Sequence, residues 1–439
     1  MGDLNSITNY DSEKLTEGLT KPFRLPFALT KGDVDRAQME ERRKFWDSSE
    51  TVEWFKSHGY TLYRRVLNEV GDYTSRTVPS LPCSDVETAH HPYAYYDSEI
   101  INDFTTPLAS FEFAGKVAFA QDSRHRHVAI KIVQDGTDEY RILRFLSEQP
   151  LDVLEANCIL PVLELLPIEG FWFAVMPRWG SAITYPPLTK IYEVLDIIHS
   201  LLKGLSFLHG HNISHGDVKL DNVLVNHFAD ASRPEDNNVR PKLRAKRLLS
   251  YGIFDFDYSL VLPPGMDPET FRLPYQRSWG TFNTTMDTAQ GEFDFNPFVL
   301  DVGALGVEFC TEFQHLCGQV PFLAPLLDKM TTRILGNRFT ASEALDYFNK
   351  MYAQLTDAEL QQPVREKESE DFAPYYLYDR WASVPPDFAQ NWAHFKEPPI
   401  PWTTRALRRI CQREWRFHVV AYVRWLFFRL GLSGTCAPT

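Results

Sequence analysis

The longest regular apolar pattern runs from Tyr192 to His209. Val194, Leu195, Ile197, Ile198, Leu201, Leu202, Leu205 and Leu208 recur at three- and four-residue steps. That spacing gives one helix a wide apolar half, as a core helix requires. Upstream the period shortens to two. Residues Phe111 to Ala120 alternate as strand, turn and strand around Gly115. Val128-Ala129-Ile130-Lys131 alternates toward a terminal lysine. Ile159–Leu166 and Phe171–Met176 predict two antiparallel strands joined at Glu169-Gly170. Glu139 to Leu146 predicts a helix with Ile142, Leu143 and Leu146 on one face. From Gln38 to Val70 a helical pattern carries Phe45, Trp46, Trp54, Phe55, Tyr60 and Tyr63. Those aromatics need a partner surface, so the segment is expected to pack on the domain that follows. Downstream, Val223-Leu224-Val225 and Ile253-Phe254 predict short strands. Thr340 and Glu343 form a capping box ahead of Ala344-Leu345.

Composition narrows the class. The chain has 439 residues, is 44% hydrophobic and 14% aromatic, and carries a net charge of −13. A large core is within reach, and the acidic balance argues against a nucleic-acid partner. The six cysteines, Cys83, Cys158, Cys310, Cys317, Cys411 and Cys436, have no metal-binding spacing and read as reduced thiols. The polar N-terminus is not a signal peptide, and no uncharged apolar run reaches membrane-spanning length. These features predict a cytoplasmic or nuclear protein. Met1-Gly2-Asp3-Leu4-Asn5-Ser6 fits the myristoylation pattern in form, with Asp3 against it.

The chemistry concentrates in His215-Gly216-Asp217-Val218-Lys219-Leu220-Asp221-Asn222, between the long helix and a strand. An Asp, a Lys two residues on and an Asn five residues on are the types phosphoryl transfer needs. The carboxylate accepts a hydroxyl proton, the ammonium meets growing phosphoryl charge, and the amide oxygen holds a Mg²⁺ ion. The stretch resembles the catalytic loop of eukaryotic protein kinases, H-R-D-x-K-x-x-N, with Gly216 in place of the Arg.

Other motifs support the resemblance over about residues 105–350. Val128-Ala129-Ile130-Lys131 is similar to the V-A-I-K strand, and Glu139 stands where the family's helical Glu pairs with that Lys. Ile253-Phe254-Asp255-Phe256-Asp257 resembles D-F-G, with Asp255 at the metal position and Asp257 replacing the Gly. Asp-Phe-Asp variants of this kind resemble fungal kinase-like proteins. Gly115 and Val117 stand at the end of the Gly-rich loop, while Ser110 and Glu112 replace its first two glycines. A carboxylate at Glu112 facing the phosphates would weaken nucleotide binding. Asp301 and Arg338-Phe339-Thr340-Ala341 match two later motifs, in which the Asp bonds the catalytic-loop backbone and the Arg pairs with an acid. Glu292 is the candidate acid, since no A-P-E is present.

The resemblance implies an α+β, bilobal protein kinase-like fold: a β-rich lobe at 101–180, a helical lobe at 181–352, and extensions at 1–100 and 353–439. It implies ATP and Mg²⁺ as cofactors. Asp217 and Lys219 would be catalytic. Gly115, Val117, Ala129, Lys131, Glu139, Met176 and Leu224 would line the nucleotide site, with Met176 as gatekeeper. Asn222 and Asp255 would hold metal. Phe256 and His215 would stack with Leu143. The implied activity is Ser/Thr phosphorylation of a protein substrate. Two alternatives stand: a pseudokinase scaffold, and a small-molecule phosphotransferase of the aminoglycoside or choline type, which also writes His-Gly-Asp. The short span from Asp301 to Arg338 implies truncated substrate-holding helices.

Two basic stretches remain. Arg240 to Arg247 reads as a solvated loop in an insertion at 226–247, with nuclear localisation as the alternative. Arg405 to Leu432 interleaves seven arginines with Trp, Phe, Tyr, Val and Leu. Such a helix can lie on a membrane surface or dock on the acidic body, and docking is the expectation.

Overall fold

A computed structural model describes residues 23–29, 36–67, 73–82, 91–96, 108–112, 114–229, 237–278 and 284–432. The Met1–Ser6 pattern, Cys83, Cys436, Gly280 and Thr281 lie outside these. The four described cysteines are free thiols.

The chain opens with α1 (Arg36–Asp47) and α2 (Ser49–Ser57), the latter capped by the Ser48 hydroxyl. Helical spacing predicted one element to Val70. Instead Gly59, at φ +85°, ends it and the chain becomes extended. Strands β1 (Thr61–Leu62), β2 (Arg64–Leu67), β3 (Tyr73–Val78), β4 (Tyr95–Tyr96) and β5 (Ser110–Phe111) follow. Then come β6 (Val117–Gln121), β7 (His127–Gln134), α3 (Asp138–Ser147) and α4 (Leu151–Ala156). Next are β8 (Glu164–Ile168) and β9 (Phe171–Pro177), the hairpin expected at Glu169-Gly170.

Five strands form an antiparallel sheet in the order β1-β6-β7-β9-β8. Alternation along β7 gives the sheet two faces. Val128, Ile130 and Ile132 are buried against Phe45, Trp46, Phe55 and Phe173, so α1 and α2 cover the outer face. Ala129 and Lys131 project from the inner face. The strand-turn-strand read from Phe111 to Ala120 is present in form, but its strands do not pair with each other. β5 pairs with β3, and the outer partner of β6 is β1, through Thr61↔Gln121 and Leu62↔Ala120. The chain between β1 and β6 is a long excursion carrying the separate β2-β3-β5 sheet.

The other half is mainly helical. α5 (Ile191–Gly210) is buried along most of its length. Short strands β10 (Ile213–Ser214), β11 (Val223–Val225) and β12 (His227–Phe228) follow, then α6 (Val239–Ala245), β13 (Tyr251–Ile253) and β14 (Leu260–Val261). β10 pairs with β14 and β11 with β13. The segment with β15 (Leu273–Pro274) and β16 (Asp294–Phe295) leads into α7 (Pro297–Phe313), α8 (Leu323–Thr331) and α9 (Ala341–Tyr352). The predicted Thr340–Glu343 capping box starts α9. The expected solvated loop at Arg240–Arg247 is instead largely α6. Arg240 and Arg244 are buried and donate to backbone carbonyls of Ala182, Tyr185 and Pro186, which gives them a structural use.

The C-terminal stretch lies over α7 and α8. It carries α10 (Asp357–Leu360) and α11 (Pro386–Asn391). Buried Asp328 of α8 receives Arg380 at 2.5 Å and the Trp381 indole at 2.7 Å. The single helix expected at 405–432 is two, α12 (Trp402–Cys411) and α13 (Glu414–Arg429). As expected, α13 docks on the body: Phe417 and Ala421 pack with Tyr275 and Phe293, and Arg424 lies 3.5 Å from Glu292. No helix among the described residues is long and apolar enough to cross a membrane.

Candidate active site

Hairpin-like pairing of β11 with β13 builds the site. Val223 sits opposite Ile253, and the Phe254 N–H donates to the Asn222 carbonyl at 3.1 Å. The end of the 215–222 loop is thereby fastened beside Asp255.

The start of that loop is fixed by buried Asp301 on α7. One carboxylate oxygen accepts from the Ser214 hydroxyl at 2.9 Å and the His215 N–H at 2.7 Å. The His209 ring lies 3.1 Å from the same oxygen, and the Gly216 N–H donates to the other at 2.8 Å. Burial alone would raise the pKa of this carboxyl, but the bond from His209 and the other donors hold it below the ordinary value. The expected anchoring of the loop by Asp301 is present. His215 then reaches forward. Its Nε2 lies 3.0 Å from the Phe254 carbonyl, which can only accept, so Nε2 carries the proton. Its Nδ1 is left to accept from the Asp217 N–H at 3.3 Å. Gly216 has φ +77°, and a Cβ there would lie 2.5 Å from the Tyr258 carbonyl oxygen. No side chain fits.

Within the loop, one Asp217 carboxylate oxygen accepts from Lys219 Nζ at 2.9 Å and from the Asn222 amide at 2.9 Å. The same amide donates to the Asp217 carbonyl at 2.8 Å. Since both contacts use the NH₂ group, the Asn222 side-chain oxygen is left as an acceptor. The three residues predicted as one constellation are in one constellation.

A second cluster faces it from the sheet. Lys131 Nζ lies 2.6 Å from Glu139, 2.7 Å from Asp255 and 2.7 Å from Asp257. The Lys131–Glu139 pair was expected, with Thr137 capping α3 to place Glu139 in its first turn. The role of Asp257 was not. The residue in place of the Gly is a ligand of two lysines: its carboxylate bridges Lys131 and, at 2.9 Å, Lys116. Burial of Lys131 alone would lower its pKa, but Glu139, Asp255 and Asp257 raise it well above the ordinary range. Burial, with Asp257 nearby, pushes Glu139 up to about 7 against the pull of Lys131. Asp257 is held low despite burial, because Lys131 and Lys116 both favour its anion. Asp255 takes φ +67°, a left-handed conformation that Asp tolerates better than most residues.

Register places the apolar residues. Val117 lies opposite Lys131, and Ala129 opposite Met176, so these side chains share the inner face. Val117, Ala129 and Leu224 are half-buried. A small cavity behind Lys131 is lined by Leu143, Leu160, Met176 and Phe254. Phe256 is buried, its ring centroid 5.5 Å from that of His215, with Leu143 in the same core.

Gly115, another residue expected at the nucleotide site, is engaged by its own chain. Its N–H donates to the Glu112 carboxylate, its carbonyl accepts from the Trp46 indole at 2.9 Å, and Arg42 donates to Ala114 at 2.8 Å. The turn therefore cradles a carboxylate of its own chain. Glu112 does not face the opposite cluster; its second oxygen lies 3.8 Å from Arg43 and from Arg65. Burial raises the Glu112 pKa against the Gly115 N–H and these arginines. The expected repulsion from Glu112 is thus replaced by an occupied turn.

Comparison with known proteins gives a distant match. No family model matches the chain. Over 138 residues, 30% of this chain, it is 29% identical to the serine/threonine-protein kinase US3 homolog of Varicella-zoster virus (strain Dumas), covering 32% of that protein. It is 27% identical over 138 residues to the US3 homolog of Cercopithecine herpesvirus 9 (strain DHV), covering 36% of it. The chain thus spans about a third of the length of these curated relatives. The similarity points to a protein kinase-like family.

Proposed function

We propose that this chain is an ATP- and Mg²⁺-dependent protein kinase acting on Ser/Thr hydroxyls, built on a two-lobed fold with the site between 101–180 and 181–352. The observation that carries the reading is the meeting of Lys131, Glu139 and Asp255, from three separate elements, beside the Asp217–Lys219–Asn222 constellation.

The donor set fits the cofactors. Two ammonium groups, Lys116 and Lys131, face the three carboxylates of Glu139, Asp255 and Asp257, leaving the cluster anionic. Carboxylate and amide oxygens are the hard ligands Mg²⁺ prefers. Asn222 and Asp255 would hold it. When bound, the ion neutralises phosphate oxygens and favours departure of the γ-phosphoryl group. Val117, Ala129, Met176 and Leu224 would hold the base, and Lys131 would leave Asp257 to meet the phosphates. Asp217 would take the proton of the acceptor hydroxyl as its oxygen attacks. Lys219, already at 2.9 Å, would orient Asp217 and meet charge on the moving group.

A second reading, a weakly active or inactive pseudokinase scaffold, draws support from the turn at Gly115, whose N–H is occupied by Glu112. The small-molecule phosphotransferase alternative is weaker, because Lys219 and the Arg338 motif are protein-kinase features by resemblance. The likeness to fungal kinase-like proteins rests on Asp255-Phe256-Asp257 alone. Purified protein with labelled ATP and Mg²⁺ tests the proposal. Transfer to itself or to a generic protein, lost in Asp217→Asn, supports it. ATP binding without turnover favours the scaffold, and transfer only to small alcohols favours the third reading.

A further inference from the structure

Twelve of the twenty-two exposed large apolar side chains among the described residues fall between Trp402 and Leu432. The same stretch holds seven arginines and one glutamate, in a chain whose net charge is −13. Apolar exposure and positive charge therefore coincide on one segment of an acidic molecule.

α13 has two opposite apolar faces. Phe417 and Ala421 are buried against Tyr275 and Phe293. Trp415, Val419, Tyr422, Leu426 and, at the C-cap, Leu430 follow the i, i+4, i+7, i+11, i+15 spacing that forms one stripe on a helix. They are 62%, 55%, 62%, 41% and 61% exposed. Docking on the body covers one face and leaves this one in water. A second apolar face needs a cover of its own. Sixteen residues span only about 24 Å, too short to cross a bilayer, so the cover must lie along the helix.

We infer that this face of α13 lies on an anionic lipid surface. Trp and Tyr suit the headgroup level, where an apolar ring and a polar edge are both satisfied. Exposed Arg405, Arg409, Arg413 and Arg429 would meet anionic headgroups, while the acidic remainder of the chain would be held off the membrane. A second copy of the chain fits worse. A two-fold pairing through the same face would bring two arginine-bearing surfaces together. This inference does not depend on the kinase reading.

Co-sedimentation of the full chain with vesicles tests it. The chain should pellet with phosphatidylcholine vesicles containing about one third phosphatidylserine, stay soluble with phosphatidylcholine alone, and be released at about 1 M salt. Changing Trp415→Ser with Leu426→Ser, both surface positions, should lower the partition about tenfold or more. Tryptophan emission should shift to the blue on binding in wild type and less in the variant. Equal recovery in the supernatant with both vesicle types would overturn the inference, and that comparison needs no variant. So would light scattering that shows a dimer which the double variant converts to monomer, since the cover would then be a second copy.

Discussion

The Arg338 guanidinium is closed by Asp287, through two parallel hydrogen bonds of 2.6 and 2.8 Å. Both side chains are buried, and the remaining guanidinium hydrogens go to the carbonyls of Thr332 and Val299. Glu292, the acid expected from sequence, is instead turned toward the Gln290 N–H and Arg424. Removing one partner of a buried pair leaves an uncompensated charge, which costs about 3–5 kcal/mol. Asp287→Ala should therefore destabilise the protein by about that much in urea unfolding. Glu292→Gln, which loses only a long contact to a half-buried Arg424, should cost about 1 kcal/mol. A larger loss for Glu292→Gln than for Asp287→Ala would reverse the assignment.

For catalysis, the expected outcome separates binding from turnover. Asp217→Asn keeps shape and the contact to Lys219 but cannot take a proton, so kcat should fall by about a thousandfold or more with little change in nucleotide affinity. Lys131→Met removes the one cation shared by Glu139, Asp255 and Asp257. It should weaken both ATP binding and turnover. Steady-state kinetics beside calorimetric ATP titration checks the split. Turnover in Asp217→Asn equal to wild type would remove the kinase proposal.

The parts legible in the sequence are those held together by short spacing. Asp217, Lys219 and Asn222 are contiguous, and Lys131 and Glu139 are eight residues apart across one turn. What sequence could not supply was the choice among distant partners. Period-two alternation marks β5 and β6 as strands, but the same pattern is compatible with either β3 or β6 as the partner of β5. Charge at Glu112 was visible, while its direction is set by Arg43, Arg65 and the Gly115 N–H. Arg338 had several acids within reach along the chain, and only packing of the 284–296 segment selects Asp287. Asp257 looked like a missing glycine because its partners, Lys116 and Lys131, come from another part of the chain.

His227 offers a pH test. Burial, with Arg240 and Arg244 beside it, pushes its pKa down to about 3. The unfolded chain takes up a proton near 6.5 that the native state refuses until about 3. The unfolded state thus binds more protons in that window, so stability is present above 6.5 and is lost as pH falls. By pH 5 the loss from this group is about 2 kcal/mol. In His227→Gln the difference in unfolding free energy between pH 7 and pH 5 should be smaller by about that amount. Parallel pH profiles for the two proteins would show that the native state accommodates the proton.

Gly216 bears on how residues 258–278 and 284–296 are held. In kinases switched by phosphorylation, the Arg before the catalytic Asp grips the added phosphate through charge-assisted bonds. Here that position has φ +77° and no room for a Cβ. Ser278 is also buried, bonded to the Tyr275 carbonyl at 2.7 Å and to Thr288 at 2.9 Å, and Thr285 is buried as well. A phosphate on either would have to break packing to form. Order comes instead from the C-terminal helix. The Tyr275 hydroxyl bonds the His418 ring, the Tyr275 ring packs tilted on Phe417 at 4.8 Å between centroids, and Phe293 lies 5.5 Å from Phe428. Phosphatase treatment should therefore leave turnover within about a few-fold of untreated protein, because no ordering bond of about 2–3 kcal/mol to a charged phosphate is lost. Phe417→Ala, which empties the seam between α13 and this segment, should cost about 3 kcal/mol of local packing and lower turnover without changing ATP affinity. Limited proteolysis across 270–296 would report the loosened segment. Activity abolished by phosphatase, with Phe417→Ala as active as wild type, would put the control on a phosphate after all.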